Sequence, residues 1–292
     1  MLDSRRLPAL LPRIIGALLL VFLGGCSTVK IGYNNAPTLL YWWLDGYVDF
    51  NDAQAVQVRD SLAALQAWHR KNELPLYAEL LRQVQRLASG PVTPPQVCDV
   101  SDQIRARVQR LGEQAAEGMS RVVPTLQPEQ LRHMALQFDK HNQTWREEWL
   151  NGTPDELAAR RLKKTVERIE SFYGRLEEPQ LALLRQSIAA SAFDARLAWR
   201  ERLRRQQDML QVFREHGNGD RAVHVKAEIL ALQQRNLDSP DPAYRAQFER
   251  MVLDNCRTLA ALHNSASAAQ RRQLLETLQD YEADVRTLIS AK

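Results

Sequence analysis

Chemistry needs reactive side chains at workable spacing, and this 292-residue chain offers few. Its three cysteines are Cys26, Cys98 and Cys256, and none forms a Cys-x-x-Cys pair. The six histidines, His69, His133, His141, His216, His224 and His263, include no i,i+4 pair that could hold zinc on one helical turn. No His-Glu-x-x-His, Gly-x-Ser-x-Gly elbow or glycine-rich phosphate loop occurs. The acidic doublets Glu147-Glu148 and Glu177-Glu178 are adjacent, so on a helix they diverge by about 100° and make poor acid/base partners. His141 continues an apolar stripe of Leu131, Met134 and Phe138 towards Trp145, which suits a hydrogen-bonded core histidine. We therefore expect no enzyme activity, no catalytic residues, no cofactor and no metal.

Cys26 has a distinctive setting. Arg5, Arg6 and Arg13 flank an apolar run from Ile14 to Phe22, and Leu23-Gly24-Gly25-Cys26 closes it. The run is shorter than the roughly 20 residues a membrane-spanning helix requires. A positive flank, a short apolar core and small residues at the end are the parts of an export signal. Leu-Gly-Gly-Cys resembles the lipobox of bacterial lipoproteins. That resemblance implies diacylglycerol on the Cys26 thiol, cleavage between Gly25 and Cys26, and further acylation, often with palmitate, of the new amine. The chemistry is consistent: glycines open the backbone to a peptidase, and a thiol is nucleophilic enough for a thioether. Ser27 rather than Asp follows, so the resemblance favours the outer membrane, facing the periplasm. Two or three acyl chains suffice for stable anchoring. In such an oxidising compartment Cys98 and Cys256 are expected to form a disulfide; the alternative is a buried free thiol at Cys256, between Val252 and Leu259 on one stripe.

Charge restricts the partners. The net charge is +4, and the first 25 residues carry three Arg and one Asp, which leaves about +2 for the rest. That excess is too small to imply nucleic acid. The basic runs Arg160-Arg161-Leu162-Lys163-Lys164 and Arg200-Glu201-Arg202-Leu203-Arg204-Arg205 are interleaved with or close to acids and suit solvated helix faces. Arg202 and Arg205 are the candidate binding surface, as the rim of a helical groove that holds unfolded or amphipathic clients. The expected partners are the membrane through Cys26 and envelope proteins or unfolded clients.

The elements that must position these residues are helices. Only 12 Gly and 13 Pro occur, and long runs are rich in Ala, Leu, Gln, Glu and Arg. Thr93-Pro-Pro-Gln96, Thr153-Pro-Asp-Glu156 and Ser267-Ala-Ala-Gln270 fit the capping box, and Pro128, Pro179 and Pro242 suit first-turn positions. With apolar residues repeating at 3.6, these signals predict helices over 37–48, 52–71, 73–89, 94–122, 127–150, 153–175, 178–215, 220–236, 241–263 and 266–290. The expected fold is all-α, an extended multi-helix bundle of antiparallel helices behind a cleaved signal. Residues 1–25 are the signal, 26–50 the anchor and an aromatic segment, and 51–292 the helical periplasmic domain.

That aromatic segment, Tyr33-Asn-Asn-Ala-Pro37 and then Tyr41-Trp-Trp-Leu-Asp45, resembles the opening motif of a family of proteobacterial lipoproteins classed only as a domain of unknown function. The resemblance implies an all-helical periplasmic lipoprotein and supplies no activity. Within the segment, Leu40, Trp43, Tyr47 and Phe50 share a helical face, expected to pack inward. A repeat also runs through the chain: Phe50-x-x-x-Gln54, Leu126-x-x-x-Gln130, Leu176-x-x-x-Gln180 and, more weakly, Ala266-x-x-x-Gln270. It is similar to the Leu-Thr-x-x-Gln motif of small periplasmic stress chaperones, but Gln127 and Glu177 replace Thr. That likeness implies client binding; ordinary helix-start chemistry accounts for the same pattern. A non-catalytic scaffold or protein-binding module is the preferred function, and an ATP-independent chaperone the alternative.

Overall fold

A computed structural model describes residues 27–217 and 222–291. The signal, Gly25 and Cys26 lie outside the described residues. Among the latter there are twelve α-helices, one 3₁₀ turn and no strand. In chain order they are α1 (Ser27–Asn34), α2 (Ala36–Val48), α3 (Asp52–Asn72), α4 (Leu74–Ala88) and α5 (Pro94–Val122). After the 3₁₀ turn Val123–Thr125 come α6 (Pro128–Trp149), α7 (Pro154–Tyr173), α8 (Glu178–Ala190) and α9 (Ala195–His216). The last three are α10 (Ala222–Leu237), α11 (Pro242–Asn264) and α12 (Ala268–Ser290).

The fold is all-α, and its caps are those expected from the sequence. Thr93, Thr153 and Ser267 each cap a helix in a capping box. Three more boxes begin at Asn51, Gln127 and Glu177. Two boundaries differ from expectation. Residues 27–34 form a helix that the sequence did not announce, tied down by Lys30 against buried Asp284 (3.1 Å) and by the Tyr33 hydroxyl on His69 Nδ1 (3.0 Å). The single long helix expected over 178–215 is two. Asp194 accepts from the amides of Arg196 and Leu197 and so starts α9 afresh, while Ser191 is extended. The apolar stripe from Leu181 to Leu203 hid this break because both helices happen to continue its phase.

Packing is antiparallel wherever cross-helix contacts fix the sense. Along α5, Cys98 meets Cys256 and Arg105 lies over Phe248, both on α11. Further along the same helix, Gln109 accepts from Gln233 and Glu117 pairs with Lys226, both on α10. On another side of α5, Gly118 approaches Ser61 of α3 so closely that an added Cβ would sit 2.8 Å from the Ser61 Cβ. α4 and α12 run against each other, with Gln85 donating to Glu282 (2.8 Å). Two apolar cores result. One gathers Tyr41, Val48, Val58, Ala116, Val122, Met134, Phe213 and Ile229. The other gathers Ala88, Tyr173, Leu184, Leu262, Leu274 and Leu278. Cys98 and Cys256 are joined by a disulfide with Cα atoms 5.5 Å apart, bridging 158 residues of sequence.

Candidate functional site

A sizeable concavity lies in the first core, where α2, α3, α5, α6 and α9 meet. Its volume is about 570 Å³, inside the range of roughly 300–1,000 Å³ typical of small-molecule sites. The walls are aliphatic and aromatic: Val48, Val58, Leu62, Met119, Leu126 and Phe138 are among them. Trp43, Ala64, Glu117 and Arg121 line it and are exposed, so they mark its mouth.

One wall carries charge. Arg202 on α9 lines the cavity with Gln206, one turn further on. Its Nε donates to Asn142 Oδ1 at 2.7 Å, and Asn142 also exchanges hydrogen bonds with Gln206. Among the described residues, no carboxylate forms an ion pair with Arg202. Burial pulls the guanidinium below its ordinary pKa, and the neighbouring Tyr47 phenol partly offsets this. Tyr47 stacks on His141 (5.2 Å between centroids). Burial, then the charges of Lys140 and Arg202, lower the His141 pKa, so its ring is neutral near pH 7.

Arg205 has a different role from Arg202. It donates to Glu201 Oε1 (2.7 Å) and lies over the Tyr244 ring. Glu201 is buried and also accepts from Arg204 and from the Ser239 hydroxyl. Burial alone would raise its pKa, but the two guanidiniums and the hydroxyl outweigh it and hold the carboxyl at about 2. A carboxylate depressed in the fold stabilises it above the unfolded value of 4.5 and loses that contribution as pH falls towards 2. Denaturant midpoints should therefore fall steeply between pH 5 and pH 2. Glu201→Gln should flatten that profile and cost about 3 kcal/mol at pH 7. An unchanged profile would sink this assignment.

The expected inward face of the aromatic segment needs correction. Tyr41 and Val48 are the buried residues of α2, and Arg59 lies over the Tyr41 ring at 3.8 Å. Leu40 and Trp43 instead stand 45% and 49% exposed, beside Leu39 at 38% and Trp42 at 68%. Every position from Leu39 to Leu44 is apolar or aromatic, so spacing could not choose a face; packing on α3 and α6 did. The other tryptophans on the expected stripes do pack together: Trp145 stacks on Trp149 and on Trp199.

The repeated glutamines, which the sequence marked as helix starts and as a chaperone-like repeat, meet in two pairs. Gln54 and Gln130 exchange reciprocal amide hydrogen bonds of 3.1 and 2.7 Å. Gln180 and Gln270 do the same at 2.9 Å each way. Every one of the four also accepts from the N–H of its own helix cap. Each remaining amide hydrogen goes to the carbonyl five residues before its partner: Thr125, Asp49, Ser265 and Arg175 in turn. Both donors and both lone pairs of each amide are thus used. The chain therefore contains the same turn-to-turn clasp twice, once per core. What the sequence missed was the pairing, since no local rule joins residues 76 or 90 positions apart.

Among the described residues, no group of three or more His, Cys, Asp or Glu is placed to hold a metal ion. No curated protein and no solved structure matches the chain. A family model, described as a family of unknown function (DUF6279), matches residues 46–245, from the end of the aromatic helix to the start of α11. That span carries α3, α5, α6 and α9 of the cavity, the first glutamine clasp and the Glu201 network, and it is more than half of the chain. The chain belongs to this family of unknown function.

Proposed function

We propose that this protein is a lipoprotein held to the outer membrane through Cys26, facing the periplasm, and that it works there as a non-catalytic binding module. The observation that carries this reading is the exposed apolar face of α2. Leu39, Leu40, Trp42 and Trp43 form it within one short helix of the lipobox-like Cys26, with no charged residue between Ala36 and Leu44. Tryptophan on such a face suits the boundary between headgroups and acyl chains. No helix among the described residues is long and apolar enough to cross a membrane. The Cys98–Cys256 disulfide supports an oxidising compartment. The 570 Å³ cavity supports binding as the role.

Mass spectrometry of the N-terminal peptide from the membrane-purified protein should show Cys26 as the first residue, carrying a diacylglyceryl thioether. Cys26→Ala should move the protein out of the lipidated outer-membrane fraction. A peptide that continues upstream of an unmodified Cys26 would end the lipoprotein reading.

A further inference from the structure

We propose that the cavity between α2, α3, α5, α6 and α9 is a binding site for a single long acyl chain with an anionic head, its head held by Arg202. This goes beyond the anchor, because the site lies in the folded body and would take its ligand whether or not Cys26 is acylated.

Size is the first argument. A methylene occupies about the volume of a liquid water, ~30 Å³, so a chain of about sixteen carbons needs on the order of 480 Å³. The cavity offers 570 Å³. Wall chemistry is the second. Val48, Val58, Val122, Leu126, Met134 and Phe213 are buried residues around the space, and burial of each methylene against such walls is favourable. The several methionines on the wall, Met119, Met134 and Met209, have flexible side chains that adapt to a chain of variable kink.

Charge is the third argument, and it selects the head. A guanidinium at an apolar wall is costly unless an anion meets it. Every other arginine of the run from Arg202 to Arg205 has a carboxylate: Arg204 has Glu201 and Asp208, and Arg205 has Glu201. Arg202 donates instead to the neutral amide of Asn142, with the Tyr47 phenol and the His141 ring nearby and no carboxylate ion pair among the described residues. Asn142 fixes its Nε and leaves the terminal nitrogens for a carboxylate or phosphate, which guanidinium binds in bidentate fashion. Gln206, a further donor, lines the same wall. The site's mouth includes Trp43, on the exposed face of α2, so a chain leaving a lipid surface would meet the opening first.

The shared chemistry has two sources, a free fatty acid or an anionic lysophospholipid, and titration separates them. The full chain, held in digitonin to avoid competing alkyl detergents, is titrated with palmitate, with lysophosphatidic acid and with methyl palmitate, by displacement of a fluorescent fatty acid. One or both anionic ligands should bind with one-to-one stoichiometry at least tenfold more tightly than the neutral ester; the tighter anion identifies the source. Arg202→Gln should remove about tenfold in affinity for the anion and leave the ester unchanged. Leu62→Trp, which fills the cavity from its α3 wall, should abolish binding of all three while helicity persists. Equal binding of acid and ester by the unaltered protein would overturn the role of Arg202 without any variant. Absence of binding by both anions, or binding undiminished in Leu62→Trp, would overturn the site itself.

Discussion

Replacing Cys98 and Cys256 together by alanine should lower the unfolding free energy by up to about 5 kcal/mol, the largest effect of any change considered for this fold. The bridge spans 158 residues. In the chain-entropy account, closing a loop of that length removes about 5 kcal/mol of freedom from the unfolded chain, with native-state effects reducing the figure in practice. The position of the bridge matters as well as its length. Cys98 lies in the second turn of α5, the helix that touches α3, α10 and α11, and Cys256 is buried in α11. The link therefore ties the helix shared by both halves of the chain to the helix that leads into the second glutamine clasp. Denaturant unfolding of the oxidised, reduced and doubly substituted protein checks this. The reduced and substituted forms should agree with each other and melt roughly 10 °C below the oxidised form. A loss under about 1 kcal/mol would mean that the unfolded chain is already held compact without the bridge.

The glutamine clasps should give the next largest loss. Gln130→Ala removes one amide and strands several partners at once: the Asp49 carbonyl, the Gln127 amide and the facing amide of Gln54. Each buried polar group left without a partner costs about 1–3 kcal/mol, so a total of about 3 kcal/mol is expected. Gln54→Ala should cost a similar amount, because Thr125 and Asn51 lose theirs. The double variant should cost clearly less than the two singles added, by about 1–2 kcal/mol, because each single already breaks the shared bonds. Gln180 and Gln270 should behave alike in the second core. Strict additivity in both pairs would show that the four residues act only as separate helix caps.

These residues also show how far local sequence reaches. A glutamine three positions inside a helix start is a capping signal, and all four helices begin where that signal places them. The same four side chains satisfy a second rule that is not local. Their outer amide hydrogens need carbonyls, and folding supplies them from another turn. Asp49 illustrates the cost: it takes left-handed backbone (φ 58°) at the end of α2, and its carbonyl is the one that accepts from Gln130. Asp194 is the opposite case, a local cap that apolar periodicity masked, so one long helix was expected where α8 and α9 stand.

The sequence by itself determined the helical class, most helix starts and the absence of familiar catalytic spacings, because capping and 3.6-residue periodicity act over a few neighbours. It also displays the lipobox-like setting of Cys26, because that resemblance is carried by a short linear segment. Tertiary structure alone decided the rest. From Leu39 to Leu44 every position of α2 is apolar or aromatic, so only its seat on α3 and α6 determined that Tyr41 is buried and Trp42 and Trp43 face outward. Arg202 and Arg205 are three residues apart and look equivalent in sequence. One finds Glu201 and the Tyr244 ring, while the other borders an apolar cavity with no carboxylate partner among the described residues. The physical reason is range: hydrogen bonds within a turn are fixed by nearest neighbours, whereas burial and charge pairing depend on which distant helices arrive alongside.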